Sequence, residues 1–405
     1  MKILYITYDA ISDFVSESQI VPYLKRLSGS GILITLLSFE KERDPVGDKD
    51  RKLRKTLENK HISWVRKRYH KHPTVPATLF DIFQGVITGI YIVKKEGIDV
   101  VHARGYIAAL MGCILKRFLK IKIIFDMRGF WPDEKVDAGA WEKGGLLYSV
   151  FKRLENYLLL KADYIIVLSD SAKRTILGHF HVKSDIAVIP CGVDLKVFSD
   201  KPDVVSGETQ GTTMAGDIEN KWVILYTGNL GSFYNLNGIL DFFCFLKERK
   251  KEAFLWIISN YSRDAIRKKA LSFGIRAADY RVDTLHYKDM PEAFSRANFS
   301  LIFYNRKLSG IGCSPIKLGE SLACGVPVVI NSGIGDCDRI IRDYDVGAVI
   351  EEFSHEEYER AYEKIKALIG DREAVKKRCR KIAEDLFSLD AAVEKYKEIY
   401  SKLMM

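Results

Sequence analysis

The 405-residue sequence holds only seven cysteines, and no two stand in a Cys-x-x-Cys pair. An odd, scattered set argues against a disulfide scaffold or a cysteine zinc site, and reads as reduced thiols in a cytoplasmic setting. Long hydrophobic runs are also scarce. No segment reaches the ~18–20 apolar residues of a membrane span, so no spanning helix is expected. The first residues, MKILYITYDA, form a short apolar run with no small-residue cleavage site behind it, the pattern of a first strand and not of a secretion signal. Acidic residues are outnumbered, 53 against 63 lysines and arginines, and the net charge of +10 favours an anionic partner. No nucleic-acid-binding module accompanies that charge. The hydrophobic content, 47%, suffices for two domains with cores of their own.

Short apolar runs alternate with helical periodicity along the chain. Strands are expected at residues 2–8, 32–39, 98–103, 121–125, 164–168 and 187–190, with helices at 20–27, 108–118 and 146–161. This order predicts a parallel sheet with helices on its faces. Residues 200–220 are polar, with proline, glycine, serine and threonine, and read as a linker. The alternation restarts at 222–227. A first domain of residues 1–199 and a second of residues 200–388 follow. A last helix at 389–403 carries an apolar stripe, Ala392, Val393, Tyr396, Ile399, Tyr400 and Leu403, that needs a surface to cover it.

Ligands of parallel α/β sheets sit beyond the carboxyl ends of the strands. His102 and Arg104 end one predicted strand, and Asp126 and Arg128 end the next. Any one of them can be a satisfied structural group; four together favour a site. Residues 16–19 are read as a turn before the first helix, with Ser18 as its N-cap and Gln19 beside it. In the second half, the turn Gly228-Asn229-Leu230-Gly231-Ser232 follows a strand and offers backbone donors with little charge, which Arg306 would supply. The densest stretch is residues 308–335, LSGIGCSPIKLGESLACGVPVVINSGIG. A glycine loop and Ser314 lead into a helix opening on Pro315, then a buried strand and a second glycine turn. Free N–H groups at such a helix start favour a phosphate. Lys317 and Glu320, three apart, share a face: a cation suits a diphosphate, and a carboxylate suits ribose hydroxyls.

SPIKLGESLACGVPVVI resembles the signature of the family 4 retaining glycosyltransferases, in the branch that reads S-P-x-K-L-x-E-x-L-A-x-G-x-P-V. SESQIVPYLKRL, FDMRGFWPDE and VIPCGVD resemble the same branch, so the likeness runs nearly from end to end. It implies the α/β GT-B architecture: two Rossmann-like domains facing each other across a cleft, with the last helix, about 389–405, crossing back to the first. It implies transfer of a sugar from a nucleoside diphosphate sugar to a hydroxyl acceptor, a glycan or lipid-linked precursor of a surface polysaccharide. Lys317 would hold the donor diphosphate and Glu320 the ribose. Asp126 would orient the acceptor or the leaving sugar, and Arg128 would hold an anionic group. Ser18, Gln19, His102 and Arg104 would line the acceptor side.

The sequence departs from that pattern in places. Gly312 stands where many members carry a glutamate on the donor sugar, which passes the sugar to the backbone of Gly310, Ile311, Gly312 and Cys313. Asn229 and Asn235 stand where many have a basic pair, and Ser16 replaces a glycine. No metal or other cofactor is expected, since Asp336-Cys337-Asp338 opens a helix, where aspartates are common caps. A nucleotide-sugar epimerase or hydrolase, or a non-catalytic nucleotide-sugar binding protein, are the same-fold alternatives. Residues 51–72 are rich in cations around Trp64 and Tyr69, with an apolar stretch at 79–93 behind them. They are read as a solvated face or as a patch for anionic lipid headgroups, on an otherwise cytoplasmic enzyme.

Overall fold

The computed structural model describes residues 1–41, 48–199, 218, 220–231, 233–305 and 307–405. The chain forms two compact units, one of Met1–Gly192 with Leu389–Met405, the other of Val193–Ser388. The division falls ahead of the expected 199/200 boundary. Val193 already belongs to the second unit: its N–H donates to Phe387 O at 2.7 Å and its side chain is fully buried in that core. Most of the expected linker lies outside the described residues.

The first unit runs β1 (Lys2–Thr7), α1 (Phe14–Gln19), α2 (Val21–Gly29), β2 (Leu33–Glu40), α3 (Asp48–Glu58), β3 (Ile62–Arg68), α4 (Thr74–Glu96), β4 (Val100–Arg104), α5 (Tyr106–Phe118), β5 (Lys122–Asp126), α6 (Trp131–Asp137), α7 (Leu146–Lys161), β6 (Tyr164–Val167), α8 (Asp170–His179) and β7 (Asp185–Val188). The strands form one parallel sheet in the order β3-β2-β1-β4-β5-β6-β7. Because side chains alternate along a strand, each strand feeds two cores. Val101, Ala103, Ile123 and Phe125 share a core with α4 residues such as Ile92 and α5 residues such as Met111 and Leu115. Val100, Ile124 and Ile166 face the other way.

The second unit runs β8 (Trp222–Thr227), α9 (Leu236–Arg249), β9 (Ala253–Ile258), α10 (Arg263–Ser272), β10 (Tyr280–Asp283), α11 (Met290–Ser295), β11 (Phe299–Ile302), α12 (Ile316–Ala323), β12 (Val328–Asn331), α13 (Cys337–Tyr344), β13 (Gly347–Ile350), α14 (His355–Gly370) and α15 (Arg372–Phe387). Its parallel sheet has the order β10-β9-β8-β11-β12-β13. The last helix, α16 (Leu389–Met404), belongs to the first unit. Of its predicted stripe, Ala392 is buried and Leu403 half-buried, while Val393, Tyr396, Ile399 and Tyr400, joined by Leu389, pack with Tyr23, Leu24, Val100 and Ile124. Each such side chain contributes ~1.5–3 kcal/mol relative to exposure.

Two sequence expectations are corrected. Residues 16–19 are not a turn but part of α1, and Ser18 is no N-cap: its hydroxyl donates back to Val15 O at 3.3 Å. Six residues are too few for a helical period to show in the sequence. Second, α4 is long and apolar enough to cross a membrane, with a mean hydropathy of 1.4 over its best window. Asp81, Gln84 and the glycines broke its apolar run and hid it from a simple count. Its inner face serves the core of the first unit: Asp81, fully buried, accepts from Tyr8 Oη at 2.8 Å and pairs with His70 Nδ1 at 2.6 Å. A Cβ on Gly85 or Gly89 would stand 2.6 Å from Met111 Sδ or 2.8 Å from Leu115, so both glycines bring α4 close to α5. In the basic stretch, the aromatic side chains Trp64 and Tyr69 have contacts inside the unit. Trp64 Nε1 donates to Ser38 Oγ at 2.9 Å under the Arg66 guanidinium, itself paired with Asp50 at 2.7 Å, and Tyr69 packs edge-on against Tyr8.

Candidate active site

Strand order reverses in the first unit between β1 and β4, and in the second between β8 and β11. These are the switch points where α/β sheets bind ligands. Both hold clusters that the sequence singled out.

In the second unit, Pro315 sits just before α12 with φ −63°, and Leu318 N–H donates to its carbonyl at 3.0 Å. Lys317 and Glu320 follow on one face of α12, only 8% and 7% exposed. The Lys317 ammonium lies 3.8 Å from the Tyr234 ring centroid, 4.8 Å from that of Tyr226 and 5.9 Å from that of Tyr304. Aromatic faces attract a cation and compensate part of its lost hydration. Its Nζ also lies 3.5 Å from Tyr226 Oη, which donates to Asn229 O at 2.6 Å. Lys317 is thereby tied to the turn after β8. Gly228 makes that contact possible: at φ +108° it has no Cβ, and one added there would fall 2.5 Å from Lys317 Cε. Burial pushes the Glu320 carboxyl up to about 7, with Lys317 pulling it partway back.

The neighbouring side chains have structural duties. Asn229 Oδ1 accepts from Leu230 N–H at 2.8 Å, and the Gly231 carbonyl accepts from Tyr234 N–H at 3.0 Å. Asn235 caps α9 through Gly238 N–H at 2.9 Å. Gly310–Gly312 form a 3-10 turn in which Gly312 N–H donates to Ser309 O and Cys313 N–H to Gly310 O, at 3.1 and 2.9 Å. Two of the four amides expected to hold a sugar are therefore already committed, a consequence of turn geometry that the glycines alone did not reveal. Ile311 is the more exposed member of that turn, and Ser314 is half-buried beside it. Arg306 lies outside the described residues. Asp336 precedes α13, and Asp338 Oδ2 accepts from Gly333 N–H at 3.0 Å, closing a turn.

In the first unit, sheet register sets Thr7 beside Arg104 and Arg104 beside Asp126. His102 and Arg104, two apart, point to the face that α16 covers. There His102 Nδ1 lies 2.7 Å from Tyr400 Oη and its Nε2 lies 3.4 Å from Asp126 Oδ2. Burial lowers the His102 pKa against the pull of Asp126, which leaves a neutral ring. Nε2–H then donates to the carboxylate and Tyr400 O–H donates to Nδ1. Burial opposes ionisation of Asp126, but Arg128, His102 and Arg104 outweigh it and hold its pKa well below the carboxylate range. Arg128 donates to Asp126 Oδ1 at 3.3 Å and to Gln19 Oε1 at 3.1 Å, and Tyr396 O–H donates to Asp126 Oδ2 at 3.4 Å. Asp126 is 1% exposed and its oxygens are occupied. It fixes Arg104 and Arg128 beside it. His102 is equally enclosed. The Ser18 hydroxyl turns toward Val15 O, within its own helix.

The sequence did not single out Tyr226, Tyr234 and Tyr304 around Lys317, nor Tyr396 and Tyr400 over Asp126. Their contacts join segments far apart in the chain. Only the predicted stripe on α16 hinted that Tyr396 and Tyr400 were buried at all.

Comparison with known families matches residues 24–197 to Glycosyltransferase Family 4 and residues 215–384 to Glycosyl transferases group 1. The protein is a glycosyltransferase with two Rossmann-like α/β units of the GT-B kind, and it belongs with the family 4 enzymes. An uncharacterized glycosyltransferase of Methanocaldococcus jannaschii is 23% identical over 360 residues, 86% of this chain and 87% of that one. Among solved structures, sucrose-phosphate synthase from Thermosynechococcus elongatus superposes with a TM-score of 0.73 at 13% identity, covering 100% and 99% of the two chains. Anabaena HepE in complex with UDP and glucose gives 0.70 at 14% identity, with 99% of each chain covered.

Proposed function

We infer that the protein transfers a sugar from a nucleoside diphosphate sugar to a hydroxyl acceptor, with retention at the anomeric carbon. The observation that carries this reading is the pairing of Lys317 and Glu320, both nine-tenths buried on one face of α12 at a sheet switch point. Lys317 stabilises the charge that grows on the departing diphosphate. Glu320, ionised, accepts from the ribose hydroxyls. The anomeric C–O bond to the diphosphate breaks as the acceptor oxygen bonds to the same carbon on the same face, and the acceptor proton passes to a phosphate oxygen. Fixed cations take the place of a metal in this scheme: Asp338 is held in a turn, and Lys317 already supplies positive charge. The structural neighbour crystallised with UDP and glucose supports a nucleotide-sugar donor.

The acceptor in this reading is a lipid-linked or surface-glycan precursor, met by a cytoplasmic enzyme that docks on the membrane through α4. Val75, Leu79, Phe83, Ile87 and Tyr91 form an outward apolar stripe on that helix, each more than half exposed. Lys94 and Lys95 lie at its end, where anionic headgroups would meet them. The test of donor class is thermal shift across UDP-, GDP- and ADP-sugars, followed by turnover with a membrane fraction as acceptor. A ligand at 100 times its Kd stabilises by ~2.7 kcal/mol. No shift with any nucleotide sugar would overturn the reading. Water as the only acceptor would make the protein a hydrolase.

A further inference from the structure

The carboxyl edge of the first sheet carries more donors than acceptors. Arg104 and Arg128 flank Asp126, which also accepts from His102. Among the described residues, two buried nitrogens there have no hydrogen-bond partner: Arg104 Nε and Gln19 Nε2. The orientation of Gln19 is dictated by chemistry. Arg128 can only donate, so Gln19 must turn its oxygen to it and its NH₂ away. Asp9 lies 3.7 Å from Arg104 Nε but is 61% exposed, a weak counter-charge. With His102 neutral, the buried charge is two guanidinium groups against one carboxylate. Unpaired buried donors are costly, and native proteins keep few of them. Here they gather at the switch point between β1 and β4, with Arg128 still 17% exposed.

We propose that this edge binds an oxyanion, a phosphate ester or the carboxylate of an acidic sugar, carried by the acceptor near its reactive hydroxyl. The proposal rests on the transferase reading and names the acceptor class within it: anionic, not neutral. Arg104 and Arg128 would present the charge and Gln19 one further donor. Neighbouring arginines match the oxygens of phosphate and carboxylate alike, so the geometry defines the shared chemistry.

The experiment uses the full chain in a Lys317→Ala background, which removes the other phosphate candidate. Methyl phosphate, glucuronate and neutral methyl glucoside are titrated and followed by calorimetry. Both anions, or one of them, should bind while the glucoside does not, and affinity should fall with added salt. Binding of methyl phosphate alone names a phosphate ester; binding of glucuronate alone names an acidic sugar. Arg104→Gln should weaken binding about tenfold, and Arg104→Lys less. Gln19→Leu, which leaves every ion pair intact, gives a smaller loss in a variant expected to fold. Equal anion affinity in Arg104→Gln and its parent, or no anion binding by a folded parent, would overturn the proposal. Nucleotide binding by the chain with Lys317 intact reports on the transferase reading separately. If it fails while anions still bind at Arg104, the oxyanion site stands and the acceptor role falls.

Discussion

Glu320 is a carboxylate whose ionisation its surroundings resist, and a ligand can reverse that. Its folded-state pKa of about 7 lies above the ordinary 4.5. The sign follows: below about 4.5 the group is neutral whether folded or unfolded, and no stability is lost. Between 4.5 and 7 the unfolded chain sheds a proton that the fold retains, so stability declines, by ~3 kcal/mol in all. Ribose hydroxyls prefer the ionised form. Stabilisation by uridine or guanosine, which carry no phosphate to titrate, should therefore grow from pH 5.5 to 8 and be flat in Glu320→Gln. Thermal shift across pH measures it, and a flat wild-type profile would separate Glu320 from the ribose. Lys317→Ala should act on turnover more than on donor affinity, lowering kcat by ~100- to 1000-fold, the scale of losing one preorganised charge donor. Asp126→Ala should cost stability first, ~3–5 kcal/mol by chemical denaturation, because it leaves Arg128 buried beside no carboxylate.

Among the elements, the turn after β8 shows how a glycine can make room for a buried lysine on another element. Gly228→Ala forces a side chain onto a backbone at φ +108° and against Lys317. A stability loss of ~1–3 kcal/mol should accompany a fall in kcat, whereas Gly231→Ala, which meets only the Asn229 amide at 4.0 Å, should change neither much. The sequence revealed most of these elements. α7 and β8 match their expected bounds, because Leu146–Lys161 and Trp222–Thr227 carry clear periods of one kind. The α12 face was legible from spacing alone, since three residues make a helical neighbour. What could not be read were facts of tertiary pairing. One is which tyrosine ring covers Lys317. Another is that Asp126 lies enclosed, and a third is that Trp64 is held by Ser38. In each case the partner stands on another element, and local periodicity carries no information about it.

On the scale of the molecule, α4 and α16 decide how the first unit meets its surroundings. The stripe on α4 extends ~24 Å along the helix axis. Co-sedimentation with vesicles should rise with anionic lipid, fall with salt, and drop sharply in a Leu79→Asp, Phe83→Asp variant. If Arg66, Lys67 and Arg68 changed to glutamate abolish binding and the α4 variant does not, the basic stretch is the docking surface. Turnover should survive EDTA; complete loss restored by Mg²⁺ would assign a metal role to Asp336 and Asp338. The return of α16 has a consequence in time. A ribosome makes the first sheet before it makes Tyr396 and Tyr400, with the whole of Val193–Ser388 in between. His102 and Asp126 therefore wait, uncovered on one face of their sheet, until nearly four hundred residues have been joined. The second unit can finish folding while the first still lacks its lid. Nascent chains arrested before α16 emerges should already bind nucleotide, and should cover His102 and Asp126 only on release.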